Sequence, residues 1–248
     1  MGHIVPHGGG STEAGRDGVV SGRCFKLSPS DFAFLWKECR RCFWLKVVAG
    51  FERARQPMPA IFNAIDAAMK ERFEGRRVEE AETALLGGVF RFADRWVVSA
   101  PMEFPGRQDT CFIRGKVDSV VDFDDGSYGI IDFKTSAVRP QNLAVYARQL
   151  HAYAVGLERP APEGLHLHPV RRLGLMVFEP QSFDGDGPGL AALKGKLAWN
   201  EMERDDAAFM KFLGEVMDVL ALPEPPESGP SCDWCRYLRA SAERNIRP

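Results

Sequence analysis

Residues 109–123 and 128–135 are two runs rich in Val, Ile and Phe, separated by Asp124-Asp125-Gly126. That arrangement predicts an antiparallel hairpin, and it constrains the fold more than any other feature. Side chains alternate along a strand, so Asp132 and Lys134 share one face while Ile131 and Phe133 take the other. A three-residue loop from Asp124 to Gly126 puts Asp118 opposite Asp132 and Val120 opposite Ile130 on that face. Val117, Val121 and Phe123 are then expected to join Ile131 and Phe133 on the packed face. A two-residue loop would slip the register by one and turn Asp118 away.

Two carboxylates side by side repel each other, and desolvation worsens the repulsion unless a proton or cation intervenes. A hard cation, Mg²⁺ or Mn²⁺, suits the pair because it takes oxygen ligands and polarises phosphoryl oxygens. Lys134 on the same face would orient water or neutralise charge developing at phosphorus.

The remaining pattern alternates helical and extended periods, as an α/β chain does. A helix is predicted from Leu27-Ser28-Pro29-Ser30-Asp31 through Val48, stopped by Gly50, and a second from about Pro59 to Gly75. Residues 88–98 read as a strand. A helix is expected from about Pro140 to Leu157, strands over Arg172–Glu179 and Leu193–Glu203, and a helix over Asp205–Leu220. On the last helix Phe209, Phe212, Leu213, Val216 and Leu220 form one stripe. The Pro-rich stretch Leu222–Pro230 reads as a linker before a short closing segment, Ser231–Ser241. The fold expected is a central mixed sheet flanked by helices. It forms one domain over 27–241, with a disordered leader over 1–26 and a tail over 242–248.

Composition narrows the partners. Across 248 residues no apolar run is long enough to span a bilayer, and residues 1–23 lack the apolar stretch of a secretory signal. A cytoplasmic setting with reduced cysteines is therefore expected, and His3 and His7 read as solvated tail residues. The net charge is −2, but Lys37–Arg77 carries ten basic against five acidic residues. Arg40, Arg41, Lys46 and Lys70 in this segment are candidate phosphate contacts, and a solvated helix face is the competing reading. Trp36, Phe43, Trp44 and Trp234 could stack on bases, although aromatic side chains around a metal clasp are more often core.

Two helices contribute further candidates. Tyr146, Gln149 and Tyr153 fall on one face of the helix after Pro140, and His151 between them reads as an ordinary helix histidine. On the second helix Asp66 falls within the apolar stripe of Phe62, Met69 and Phe73. An acid there must pair, with Lys70 one turn on, or act as a third metal ligand.

Gly-x-x-Asp at 115–118, Asp-x-Lys at 132–134 and Gln-x-x-x-Tyr at 149–153 together resemble the PD-(D/E)XK nuclease superfamily. The likeness is to its RecB-like branch, which includes the iron–sulfur exonucleases of CRISPR adaptation. The resemblance implies a restriction-endonuclease-like fold with Asp118 and Asp132 as metal ligands and Lys134 as the catalytic lysine. Gln149 and Tyr153 would form the accessory motif, and the Ile131 and Phe133 backbone carbonyls would face the metal. Well-known RecB-like members place a His on the preceding helix, and Asp66 stands at the comparable place.

Cys39-Arg-Arg-Cys42 and Cys232-Asp-Trp-Cys235 are separated by 189 residues, far more than a zinc finger encloses. Four thiolates so spaced suggest a clasp that closes the chain's ends around the core. A 4Fe–4S cluster is the expected occupant and Zn²⁺ the alternative. The similar iron–sulfur nucleases carry one cysteine in the first helix and three near the C-terminus. Here Ser241 stands where a third C-terminal cysteine is expected, and Cys42 supplies the missing ligand. Cys111 reads as a buried strand thiol and Cys24 as incidental. The function expected is metal-dependent cleavage of DNA, as single strands or at ends, in repair, recombination or defence. A nucleic-acid-binding or assembly subunit without turnover is the alternative, and the presence of Asp118, Asp132 and Lys134 together speaks against it.

Overall fold

Strand β3 (Thr110–Phe123) pairs with three other strands, and its two edges are used differently. In the computed structural model, which describes residues 22–244 apart from 55, 56, 83, 84, 86, 136 and 186, β2 (Gly88–Val98) runs antiparallel along one edge. The other edge is divided. Strand β1 (Cys24–Leu27) pairs parallel with Thr110–Ile113, and β4 (Tyr128–Lys134) pairs antiparallel with Ser119–Asp122. Between them, β3 from Arg114 to Asp118 has no strand on that edge. The sheet continues through β5 (Val170–Asp184), parallel to β4, to β6 (Ala192–Met202), antiparallel to β5.

Both faces are covered by helices. Helix α4 (Ala60–Phe73) seats Met69 and Phe73 against Phe90, Val121, Ile131, Phe133 and Met176. On the opposite face α5 (Pro140–Glu158) packs Leu150, Ala154 and Leu157 on Val120, Ile130 and Leu173. A third cluster lies over β1 and the start of β3. There α1 (Pro29–Ala33), α2 (Leu35–Glu38) and α3 (Arg40–Ala49) meet α6 (Asp206–Leu220) through Phe32, Trp36, Phe43 and Phe212. Helix α7 (Asp233–Glu243) follows the linker. The mixed central sheet flanked by helices is the expected architecture, and the three-residue hairpin loop holds, with Phe123 N–H bonded to the Ser127 carbonyl at 2.9 Å.

Four local expectations are corrected. Residues 24–26, expected in the leader, form β1: Phe25 and Leu27 alternate with exposed Cys24 and Lys26, which gives a strand its apolar face. Residues 242 and 243, expected in the tail, complete α7, while 1–21, His3 and His7 included, and 245–248 lie outside the described residues. The single helix expected through Val48 is three, because Phe34 closes α1 and Cys39 is extended (φ −160°, ψ 107°). Finally, Val117 packs with Val120 and Ile130 rather than with Val121 and Phe123. Asp118 explains the slip. The ladder with β4 ends at Ser119, the register with β2 passes over Asp118, and Asp94 beside it has φ 57°. Alternation survives only where the ladder is continuous.

Two contacts fix α5 on the sheet. A Cβ at Gly115 would stand 2.6 Å from Pro29 Cδ and 3.1 Å from Tyr153 Cε1, so the glycine lets α1 and α5 close on the strand. At the far end of α5, Glu158 Oε1 accepts from Val170 N–H at 2.8 Å and from Arg204 at 2.9 Å. Burial works against the Glu158 charge, but Arg204 and the Val170 N–H outweigh it and hold the carboxyl below its ordinary value. Gly115→Ala should lower stability by about 1–3 kcal/mol through overpacking, read as a drop in the thermal midpoint. Glu158→Gln should cost about 2 kcal/mol near neutral pH. Because the folded carboxyl titrates below the unfolded one, that stabilisation is present above the unfolded value and lost as pH falls through the folded one. The midpoints of wild type and Glu158→Gln should therefore converge below about pH 4.

Candidate functional site

Where β3 and β4 part, the backbone leaves polar groups that side chains must satisfy. Asp118 Oδ2 accepts from Phe133 N–H at 3.1 Å, and the Tyr153 hydroxyl donates to the Lys116 carbonyl at 2.6 Å. Asp118 and Asp132 are the next residues in register beyond Ser119 and Ile131. The site residues thus take over from the ladder where the strands separate.

Asp132 is almost fully buried. Its Oδ1 accepts from Gln149 Nε2 at 2.9 Å, and the Lys134 ammonium forms an ion pair with Oδ2, on which no hydrogen-bond donor is aligned. The oxygen of the Gln149 amide, Oε1, is also buried without a hydrogen-bond partner. Lys134 lies 5.0 Å from the Tyr146 ring centroid, and Tyr146 rests edge-on against Phe34. The face of α5 bearing Tyr146, Gln149 and Tyr153 therefore meets Lys134, Asp132 and Lys116 in turn.

The electrostatics follow from this crowding. Burial, and then the Asp132 charge, push Asp118 up to about 7 against the pull of Lys70 and Lys134. Burial opposes the charge on Lys134, yet Asp132, with Asp118 behind it, holds the ammonium above its ordinary value. Burial and the same two carboxylates raise the Tyr153 phenol, which stays a neutral donor.

Asp66 and Lys70 form an adjoining hub. Lys70 Nζ lies 2.8 Å from Asp66, 2.9 Å from Asp94 and 3.4 Å from Asp118. Asp66 is not inside a buried stripe, because Phe62 is exposed and the Asp66 side chain is about one-third exposed. Among the described residues Asp66 does not close a three-ligand group with Asp118 and Asp132; Lys70 stands between it and Asp118.

The predicted phosphate contacts are engaged elsewhere. Lys70 is committed to its three acids, and Arg41 reaches the Pro225 and Pro226 carbonyls at 3.3 and 3.1 Å. Arg40 stacks on Trp36 at 4.7 Å, while Lys46 pairs with Asp31 at 2.9 Å. Charge counting registers these cations but not the acids, carbonyls and rings that the fold brings to them. Lys46 alone of the four lines the cleft of about 760 Å³ that contains Asp118 and Asp132. Four cations outside that segment, Lys26, Arg114, Lys116 and Lys134 itself, line it too, as does exposed Trp96. The signal that could have found Arg114 and Lys116 was their place four and two residues before Asp118 on one predicted strand. Trp36, Phe43 and Trp44 are buried core. His151 donates from Nδ1 to the Ala147 carbonyl and accepts the Asp205 N–H on Nε2, an ordinary structural pairing.

The four clasp cysteines converge. Cys39 caps α3, Cys42 lies in its first turn, and Cys232 caps α7 with Cys235 one turn on. All four are buried and reduced, and their sulfurs lie within 4.8 Å of one another. Cys42 is 3.4 Å from Cys235 and 3.8 Å from Cys232, and Cys39 is 3.8 Å from Cys235. Gly229 N–H points at Cys39 Sγ from 3.3 Å and the Arg53 guanidinium at Cys232 Sγ from 3.0 Å, both suited to thiolate charge. Burial opposes ionisation of Cys39, but the Gly229 and Cys42 amides bring its thiol down to about 7. Four such sulfurs fit a bound metal. Cys111 is fully buried, and burial pushes its thiol up to about 12; Cys24 is exposed.

No curated protein matches the chain. Among solved structures it is similar to the crystal structure of SSO0001, with 12% identity and a TM-score of 0.43. That match covers 78% of this chain and 75% of the other, a likeness too distant to bear on function. The model of the PD-(D/E)XK nuclease superfamily matches residues 46–240, a span that holds the hairpin, both aspartates, Lys134 and the accessory helix. The chain belongs to the PD-(D/E)XK nuclease superfamily.

Proposed function

We propose that this protein is a divalent-metal-dependent nuclease of the RecB-like branch that hydrolyses phosphodiester bonds in DNA, acting on single strands or ends. The observation that carries the reading is Asp118 and Asp132 held together where β3 and β4 part, with Lys134 beside Asp132 in a cleft lined by further cations. The donor set suits Mg²⁺ or Mn²⁺: two adjoining carboxylates, one with a buried oxygen lacking an aligned donor. When bound, such an ion supplies Lewis-acid polarisation of a phosphoryl oxygen and acidifies water. Asp118 and Asp132 would hold it, and Gln149 fixes the Asp132 carboxylate by its hydrogen bond to Oδ1. Lys134, kept protonated by its carboxylate neighbours, stabilises negative charge growing at phosphorus. Tyr153 keeps the Lys116 carbonyl satisfied, so that β3 stays open where the substrate must enter. Asp66 reaches the site through Lys70 and serves as a neighbouring charge rather than a direct ligand.

The clasp is a structural centre that ties the N- and C-terminal helices together. A single tetrahedral ion bound at about 2.3 Å to each thiolate spaces the sulfurs at about 3.8 Å. The close pairs here, at 3.4–3.8 Å, match that spacing. A cubane puts each thiolate on a different iron and spreads the sulfurs further. We therefore favour Zn²⁺ over the 4Fe–4S cluster that the cysteine motifs first suggested.

The second reading, a nucleic-acid-binding subunit without turnover, is favoured by the Lys70–Asp118 and Lys134–Asp132 ion pairs, which balance both carboxylates by themselves. Digestion of labelled single- and double-stranded DNA with Mg²⁺ or Mn²⁺ decides between the two. Cleavage by the wild type should fall about a hundredfold to a thousandfold in Asp118→Ala, Asp132→Ala and Lys134→Ala, and less in Asp66→Ala. No cleavage by wild type with either metal would sink the enzymatic reading. For the clasp, metal analysis of protein purified without oxygen should find one zinc per chain and no visible absorbance. Iron with matching sulfide in a brown protein would restore the cluster.

A further inference from the structure

Trp96 is 59% exposed on β2, although large aromatic side chains are usually covered. It sits across from Lys116 in the β2–β3 register, and the Arg114 guanidinium lies 5.0 Å from its ring centroid. Arg114 and Lys116 lie two residues apart on β3 and line one cleft with Asp118, which therefore leads from an aromatic–cation pair to a carboxylate of the proposed site. This is also the stretch of β3 with no strand on its second edge, and the cleft of about 760 Å³ runs along it with Lys26 on its wall. Among the described residues neither Arg114 nor Lys26 forms an ion pair, and Lys116 has only Asp94, at 3.6 Å. Cations free of carboxylates attract phosphates, and an exposed indole beside them offers a surface on which a base can stack.

We propose that Trp96, with Arg114, is a base-stacking platform that holds an unpaired nucleotide in the cleft, so that the preferred substrate is a single strand or a frayed end. In a duplex each base is covered on both faces by its neighbours, which leaves a lone indole nothing to stack on except at an end or in an unpaired strand. Arg114, Lys116 and Lys26 follow the backbone without reading sequence. The proposal rests on the nucleic-acid reading of the same site and adds to it the residues that would select an unpaired strand.

The test is fluorescence anisotropy on the full chain, with Ca²⁺ replacing Mg²⁺ to suppress cleavage. The probes are labelled oligothymidine, an abasic strand of equal length and a blunt duplex. Wild type should prefer oligothymidine to the duplex. Trp96→Ala should weaken oligothymidine about tenfold, the size of one base–aromatic stack, and change abasic binding less than about twofold. Trp96→Phe should keep most of the affinity, which excludes misfolding as the cause. Arg114→Ala should weaken both single strands and lower the salt dependence by about one phosphate contact. If Trp96→Ala binds oligothymidine like wild type, or loses the abasic strand equally, the platform is overturned while the nuclease reading stands. If wild type neither binds nor cleaves any nucleic acid, both fall.

Discussion

Asp118 and Asp132 sit side by side with little water around them, and much of the surrounding fold serves to make that tolerable. Their repulsion, added to burial, lifts Asp118 to about 7. Three kinds of group offset it: the Lys134 and Lys70 ammoniums, the Gln149 amide on Asp132, and the Phe133 N–H on Asp118. The ammoniums are charges that a divalent ion can replace or supplement. The last two fix geometry, and both exist because the strands separate there instead of continuing their ladder.

The divided edge of β3 links the fold to the chemistry. Had β1 or β4 been a few residues longer, Arg114–Asp118 would have been covered by another strand. As built, the exposed stretch is served on one side by β2 and at the Lys116 carbonyl by Tyr153, while Gly115 lets α1 and α5 approach. The glycine, the tyrosine and the glutamine of the recognition pattern thus have separate physical duties: clearance, satisfaction of a free carbonyl, and orientation of a carboxylate.

The clasp works at longer range. Cys39 ends α2 and starts α3, so the extended residue that breaks the helix is also a sulfur donor. Cys232 plays the corresponding part at the start of α7, where its own sulfur accepts the Cys235 N–H. Segments nearly two hundred residues apart in the chain are brought to one buried cluster. A metal there would join α3, whose Phe43 belongs to the cluster over β1, to the end of the chain.

The sequence by itself determined the hairpin, because turn chemistry and period-two alternation are local, and it narrowed the loop to two lengths, of which the three-residue one brings Asp118 next to Asp132. The apolar stripe of α6, the buried state of Cys111 and the pairing of two distant C-x-x-C motifs were legible for the same kind of reason: residue type and spacing carry them. Tertiary structure decided what depends on partners far along the chain. Arg40, Arg41 and Lys46 looked free in a basic segment, yet each meets an acid, a carbonyl or a ring supplied by packing, and Lys70, which spacing already offered to Asp66, meets Asp94 and Asp118 as well. β1 was too short to stand out from the segment before it until β3 offered an edge. Asp66 was placed on α4 by periodicity, but only the approach of β2 and β3 showed Lys70 between it and Asp118. The exposed cleft with Trp96, Arg114 and Lys116 arises from where two strands stop, and a break in hydrogen-bonded pairing between distant segments leaves no local mark in the sequence.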